Sequence, residues 1–187
     1  MSDAKVFILP GLGNSGIEHW QSVWERNNPS YKRIIQAEWD TPDCHDWIAT
    51  LDQAIAASNE ELVLVGHSSS CALIGHWAIY AKNSAHIKKI KGALLVAPSD
   101  PDGDSYPVGT KNFRPMPLQK LPFPSTVVAS TDDIYVTIER AQFFAQAWGS
   151  RLVNLGAAGH INSASGLGDW PQGMQLLQQL CSDENQK

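Results

Sequence analysis

Residues 62–80 read LVLVGHSSSCALIGHWAIY. Four apolar residues, Leu62 to Val65, run into Gly66 and His67, three serines follow, and an apolar stretch of helical length resumes at once. A buried strand that ends on a small residue and starts a helix within three positions is the pattern of a nucleophile elbow, G-x-S-x-G. Here it reads Gly66-His67-Ser68-Ser69-Ser70, with serine where the second glycine is usual. The positions two before and two after the nucleophile must be small because the turn is tight. Ser68 as nucleophile puts Gly66 and Ser70 there. Ser69 would put His67 there, where an imidazole clashes, and Ser70 would move the nucleophile into the helix. The plainer alternative is a serine that caps a helix after a buried strand.

The elbow sits in a regular context. Apolar runs at Val6–Leu9, Ile34–Ala37, Leu62–Val65, Ala93–Ala97, Thr126–Ala129 and Leu152–Leu155 alternate with helical segments. Short continuous apolar runs are strands covered on both faces, and the alternation predicts a parallel α/β sheet with right-handed crossovers. Ser15 and Glu18 fit a capping box ahead of Trp20, Val23 and Trp24. Trp47, Leu51 and Ile55 share the face of another helix. Thr137 caps a helix that stops at Gly149, and Asp169 caps the last one, with Pro171 in its first turn and Met174, Leu177 and Leu180 inward. Residues 98–125 hold seven prolines and predict a long ordered loop or small lid. The length of 187 residues predicts one domain over 1–187, with no room for a separate cap domain.

Composition narrows the class. Hydrophobic residues make up 43% and charged residues 18%, the profile of a globular chain. A net charge of −5 with no basic cluster beyond Lys88, Lys89 and Lys91 argues against a nucleic-acid partner. No apolar stretch approaches the roughly 20 residues of a membrane span, and the N-terminal apolar run is too short for a signal peptide. Cys44, Cys71 and Cys181 form no CxxC and are odd in number, which argues against a disulfide framework or zinc site and fits a reducing cytoplasm.

A serine hydroxyl needs a base, and the base an orienting acid, in the chain order Ser, acid, His for elbow enzymes. His76 and His86 fall in the helical region after the elbow. His160, in Gly159-His160-Ile161-Asn162, follows the last strand-like run and is the remaining base. For the acid, Asp132 and Asp133 end one strand and Asp100 follows another, and the residues themselves leave the three open. Asp100, Asp102 and Asp104 imitate a calcium loop, but Gly103 stands at its fourth position instead of the sixth and Lys111 at the place of the bidentate glutamate. An oxyanion hole takes the Ser69 amide and a second amide from the loop Pro10–Ser15, with Leu12 the assigned donor. That loop matches neither phosphate-binding glycine pattern. No metal or organic cofactor is called for. His67 reads as structural, the seven tryptophans mostly as core, with Trp20 and Trp47 as candidate walls of an acyl pocket.

These residues resemble the small serine hydrolases of the α/β-hydrolase superfamily typified by retinoblastoma-binding protein 9 and the bacterial YdeN proteins. The resemblance runs nearly end to end. It rests on Pro10-Gly11 with His19-Trp20, on Gly66-His67-Ser68-Ser69, on Leu121 to Ser125, on Ser130 to Asp133, and on Gly159 to Asn162 with Ser165 to Pro171. It implies a compact, doubly wound α/β-hydrolase fold and a Ser68–Asp133–His160 triad, Asp133 being preferred because the family's acid lies three residues before the position of Val136. Relatives often carry proline where this chain has Ile134. The implied activity is hydrolysis of a small carboxylic ester, thioester or amide. The alternatives are an interaction scaffold that lost turnover and an acyltransferase. No L-x-C-x-E motif occurs, so a retinoblastoma-type partner is not supported.

Overall fold

The computed structural model describes residues 4–182, so the ends of the expected 1–187 span lie outside it. Six strands, β1 (Lys5–Leu9), β2 (Lys32–Arg33), β3 (Leu62–His67), β4 (Ile90–Val96), β5 (Ser125–Ala129) and β6 (Arg151–Asn154), form one sheet in the order β2-β1-β3-β4-β5-β6. Every pairing is parallel. Alternate residues of β1, β3, β4 and β5 feed opposite cores. Phe7, Leu64, Leu95 and Val127 pack with helices α2 (Cys44–Ala56), α3 (Ser69–Tyr80) and α4 (Ile138–Trp148). Ile8, Val65, Leu94 and Val128 pack with α1 (Trp20–Asn27) and α5 (Pro171–Cys181). Both faces are covered, which is why the strands read as unbroken apolar runs. This is the doubly wound α/β-hydrolase fold, without a cap domain among the described residues.

The strand order reverses between β1 and β3. Loops leaving the carboxyl ends of those strands part to opposite sides of the sheet, and the crevice between them is where such folds gather their chemistry.

Three local expectations are corrected. The run Ile34–Ala37 is not a strand. The edge strand is Lys32–Arg33, which faces Phe7 and Ile8, and only the Ile34 N–H, donating to the Ile8 carbonyl, extends the ladder. Ser15 and Glu18 form no capping box. His19 caps α1, its Nδ1 accepting from the Gln21 N–H, while Ser15 Oγ donates to Gln21 Oε1. Trp170, with φ 42°, caps α5 in place of Asp169, whose carbonyl accepts from Trp24 Nε1. Thr137 and Gly149 bound α4 as expected.

The Pro-rich segment is an ordered loop packed on the α2–α3–α4 face. Lys111 exchanges backbone hydrogen bonds with Pro42 and Cys44, and Trp148 Nε1 donates to the Pro117 carbonyl at 2.6 Å. Among the described residues no helix is long and apolar enough to cross a membrane.

On the other face Trp20, Trp24 and Trp170 pack ring against ring, with centroids 4.7 to 5.8 Å apart. A Cβ at Gly173 would lie 2.3 Å from the Trp170 ring. Gly→Ala within a helix ordinarily stabilises by about 1 kcal/mol. Here overpacking, typically about 1–3 kcal/mol, reverses the sign. Gly173→Ala should therefore lower stability in urea denaturation. A variant more stable than the parent would mean that the indole moves aside freely.

Candidate active site

The elbow is built by sterics. Ser68 has φ 57° and ψ −124°, joins β3 directly to α3, and is held by its N–H donating to the Val96 carbonyl at 2.9 Å. A Cβ on Gly66 would meet Ile74 Cδ1 at 2.8 Å and the Ser70 carbonyl oxygen at 3.2 Å, so only glycine lets α3 approach the strand this closely. Ser70, in the place of the usual glycine, donates its hydroxyl to the Pro10 carbonyl at 2.6 Å and ties the elbow to the β1 loop. Gly11 completes that contact, since a Cβ there would stand 2.7 Å from Ser68 Cβ.

A continuous hydrogen-bonded chain leads away from Ser68. Its Oγ lies 2.9 Å from His160 Nε2, and His160 Nδ1 lies 2.8 Å from Asp133 Oδ2. The Asp133 side chain is fully buried, and its other oxygen accepts the Tyr135 N–H at 2.9 Å. Ile134, in the place of the relatives' proline, is 73% exposed and leaves this geometry intact.

The other two aspartates do different jobs. Asp132 accepts from Ser130 Oγ at 2.6 Å and from the Gly159 N–H at 2.7 Å, which joins the β5 loop to the histidine loop. The Ser130 hydroxyl first, then the Gly159 amide, hold its carboxyl below the usual range. Asp100 is buried and paired with Arg140 Nε at 2.7 Å.

The histidine loop is pinned from three further sides. His67 Nε2 donates to the His160 carbonyl at 3.0 Å, and Trp20 Nε1 donates to the Ile161 carbonyl at 2.8 Å. Asn162 caps a short turn, Ser163–Ser165, whose Ser165 hydroxyl donates back to the Ala158 carbonyl. Trp20 and Trp47, each 1% exposed, are core and not pocket walls.

A cleft of about 390 Å³ opens above this chain. Leu12, Ser68, Ser69, Ser99, Tyr135 and His160 line it. It therefore holds residues from the loops after β1, β3, β4, β5 and β6. The Ser69 amide starts α3, where no preceding helical carbonyl awaits it. The Tyr106 hydroxyl, from the Pro-rich loop, donates to Ser69 Oγ at 3.0 Å and supports the same turn. His76 and His86 lie away from the cleft, bonded to the Phe113 carbonyl and to Asp52.

The sequence profile of the serine hydrolase family matches residues 6–179. This chain belongs to that family. Among solved structures, a protein described as a YdeN-like hydrolase from Pectobacterium atrosepticum is 32% identical, with a TM-score of 0.81 over 96% of this chain and 91% of that one. The ydeN gene product of B. subtilis gives 0.77 at 19% identity, over 95% and 98%. A hydrolase from Oleispira antarctica gives 0.66 at 12% identity, over 95% and 92%, a likeness of fold alone. Comparison with curated protein sequences gives no significant match.

This serine hydrolase carries two histidines behind His160 that the motif does not predict as a pair. The His19 and His67 rings meet at 4.6 Å, and His67 and His160 at 4.9 Å. Burial, then the Arg33 charge, lowers the His19 pKa from 6.5 to about 4. Burial, with His19 and His160 nearby, pushes His67 well below its ordinary value. Both are neutral in the fold, whereas the unfolded chain takes up their protons below about pH 6.5. Their contribution is fully present above that pH and is lost as pH falls toward 4, for His19 by about 3 kcal/mol at most. Urea midpoints should therefore drop between pH 7 and pH 4.5, and His19→Asn, which keeps a helix cap, should drop less. An equal pH dependence in both proteins would mean that His19 is not held neutral.

Proposed function

We propose that the chain, acting as one domain, hydrolyses a small carboxylic ester, thioester or amide through an acyl-Ser68 intermediate. The observation that carries this reading is the unbroken chain from Ser68 Oγ to His160 to the buried Asp133 at 2.9 and 2.8 Å. As the substrate carbonyl carbon meets Ser68 Oγ, His160 Nε2 takes the hydroxyl proton, the Oγ–C bond forms, and the carbonyl π pair moves onto oxygen. The Leu12 and Ser69 amides receive that oxyanion. Collapse expels the leaving group with the proton from His160. Water then repeats the sequence: His160 takes its proton, the acyl product departs, and Ser68 regains its hydrogen. Asp133 keeps the imidazole in the required tautomer and stabilises the imidazolium without taking a proton itself. The volume of the cleft, about 390 Å³, favours a small acyl group. The buried thiols of Cys44 and Cys71, outside any disulfide, support a reducing, cytoplasmic setting.

A fluorophosphonate should label Ser68 alone, as located by digestion and mass spectrometry. An adduct on Ser69, Ser70 or Ser99, or none on folded protein, would overturn the reading. Asp133→Asn should lose on the order of 10⁴ in kcat, because the wrong tautomer is then held. Asp132→Asn and Asp100→Asn should stay within about tenfold. A crippled Asp100→Asn with an active Asp133→Asn would move the acid to the β4 loop. EDTA should leave the rate unchanged, and activity lost to EDTA and restored by a divalent ion would replace the triad with metal-assisted hydrolysis.

A further inference from the structure

The hydroxyl of Ser99 stands 2.8 Å from Ser68 Oγ, and Ser99 is 2% exposed. Nothing in the elbow motif or the triad requires it. Among the described residues Ser68 is its only hydrogen-bond partner. The direction of the bond follows from the rest of the chain. The Asp133 carboxylate only accepts, so in the neutral imidazole, the form that can take a proton, His160 Nδ1 carries the hydrogen and Nε2 is bare. Ser68 must then donate its one proton to Nε2. The remaining contact can exist only if Ser99 donates to Ser68.

We propose that Ser99 is a second catalytic serine, which donates a hydrogen bond to Ser68 Oγ and leaves that oxygen one free lone pair, directed at the substrate carbonyl. The proposal rests on the acyl-Ser68 reading. A hydroxyl oxygen has one proton and two lone pairs. His160 engages the proton and Ser99 one lone pair, so the side chain has little rotational freedom and attack occurs through the other pair. Ser99 loses no proton at any step. During acylation it steadies the negative charge that grows on Oγ as its proton leaves. During deacylation it steadies the same oxygen as the acyl C–O bond breaks, before His160 returns the proton.

The backbone around Ser99 is fixed from both sides. Ala97, fully buried, sits at φ 48°, a conformation disfavoured for any residue with a Cβ, and its N–H donates to the Val128 carbonyl at 2.8 Å. Such strain persists only where the surroundings over-determine it. On the other side, the Asp100 N–H donates to the Tyr135 carbonyl at 3.1 Å and its carboxylate pairs with Arg140. Arg140 in turn stacks on Phe144, 4.7 Å from the ring centroid. The aspartate that resembles a triad acid in the sequence thus anchors the turn that presents Ser99.

The test compares Ser99→Ala, Ser99→Thr and Ser99→Cys in the full chain, using a short acyl ester and a fluorophosphonate. Ser99→Ala should lose about 10- to 100-fold in kcat, the scale of one hydrogen bond to a partly charged oxygen, with KM changed less than about threefold. Labelling should slow to a similar extent and remain on Ser68. Thr, which keeps the hydroxyl, should recover most of the rate, and Cys, a weak donor, should fall between. Wild-type labelling on Ser68 with an equally fast Ser99→Ala would sink this proposal and leave the triad standing. An equal loss in all three variants would also sink it, by making Ser99 a packing residue. Absence of wild-type labelling would instead remove the triad reading beneath it.

Discussion

The strained turn at Ser68 is the constraint on which the site depends. A non-glycine residue at φ 57° costs on the order of 1–3 kcal/mol, and the surrounding contacts must hold it there. Gly66 lets α3 press against β3, and Gly11 lets the β1 loop reach the serine. The Ser70 hydroxyl fastens the elbow to the β1 loop, and the Ser68 N–H is tied to Val96 on the neighbouring strand. Relaxing the turn would separate Oγ from His160 and from Ser99 together. A strand that enters a helix with no intervening loop is therefore the structural cause of a serine exposed to a cleft yet fixed in direction.

Around that turn, three aspartates at strand ends divide the work. Asp133 bonds His160, Asp132 bonds the loop that carries His160, and Asp100 holds the loop that carries Ser99. All three are carboxylates among hydrogen-bond donors, and what separates them is which donors they meet. The Pro-rich segment supports the elbow from the side, the Tyr106 hydroxyl donating to Ser69 Oγ.

What could be read from the chain follows from how local each feature is. Gly66 and Ser68 are legible because the elbow is set by sterics within five residues. His160 is legible because chain order leaves no other candidate after the last strand. The residues alone do not separate Asp100, Asp132 and Asp133, which occupy equivalent places in the pattern; only the resemblance favours Asp133, and the three differ in partner, Asp133 meeting His160 and Asp100 meeting Arg140. The apolar pattern points to Ile34 for the edge strand because Ile34 is buried in the core, whereas the ladder itself is made by the backbone of the polar Lys32 and Arg33. The caps of α1 and α5 are not legible locally because His19 packs on His67 of the elbow and Trp170 on Trp20 of the tryptophan cluster, both tertiary contacts. Ser99 left only a faint signal, a small hydroxyl residue just past the carboxyl end of a strand.

In the proposed reaction one serine, one histidine and two backbone amides surround a single reacting carbon. The most direct measurement is a crystal structure of the protein after reaction with a fluorophosphonate. The expected result is phosphorus bonded to Ser68 Oγ, a phosphoryl oxygen within hydrogen-bond distance of the Leu12 and Ser69 amides, and the Ser99 hydroxyl still against Oγ. Phosphorus on another residue, or a phosphoryl oxygen turned away from both amides, would contradict it.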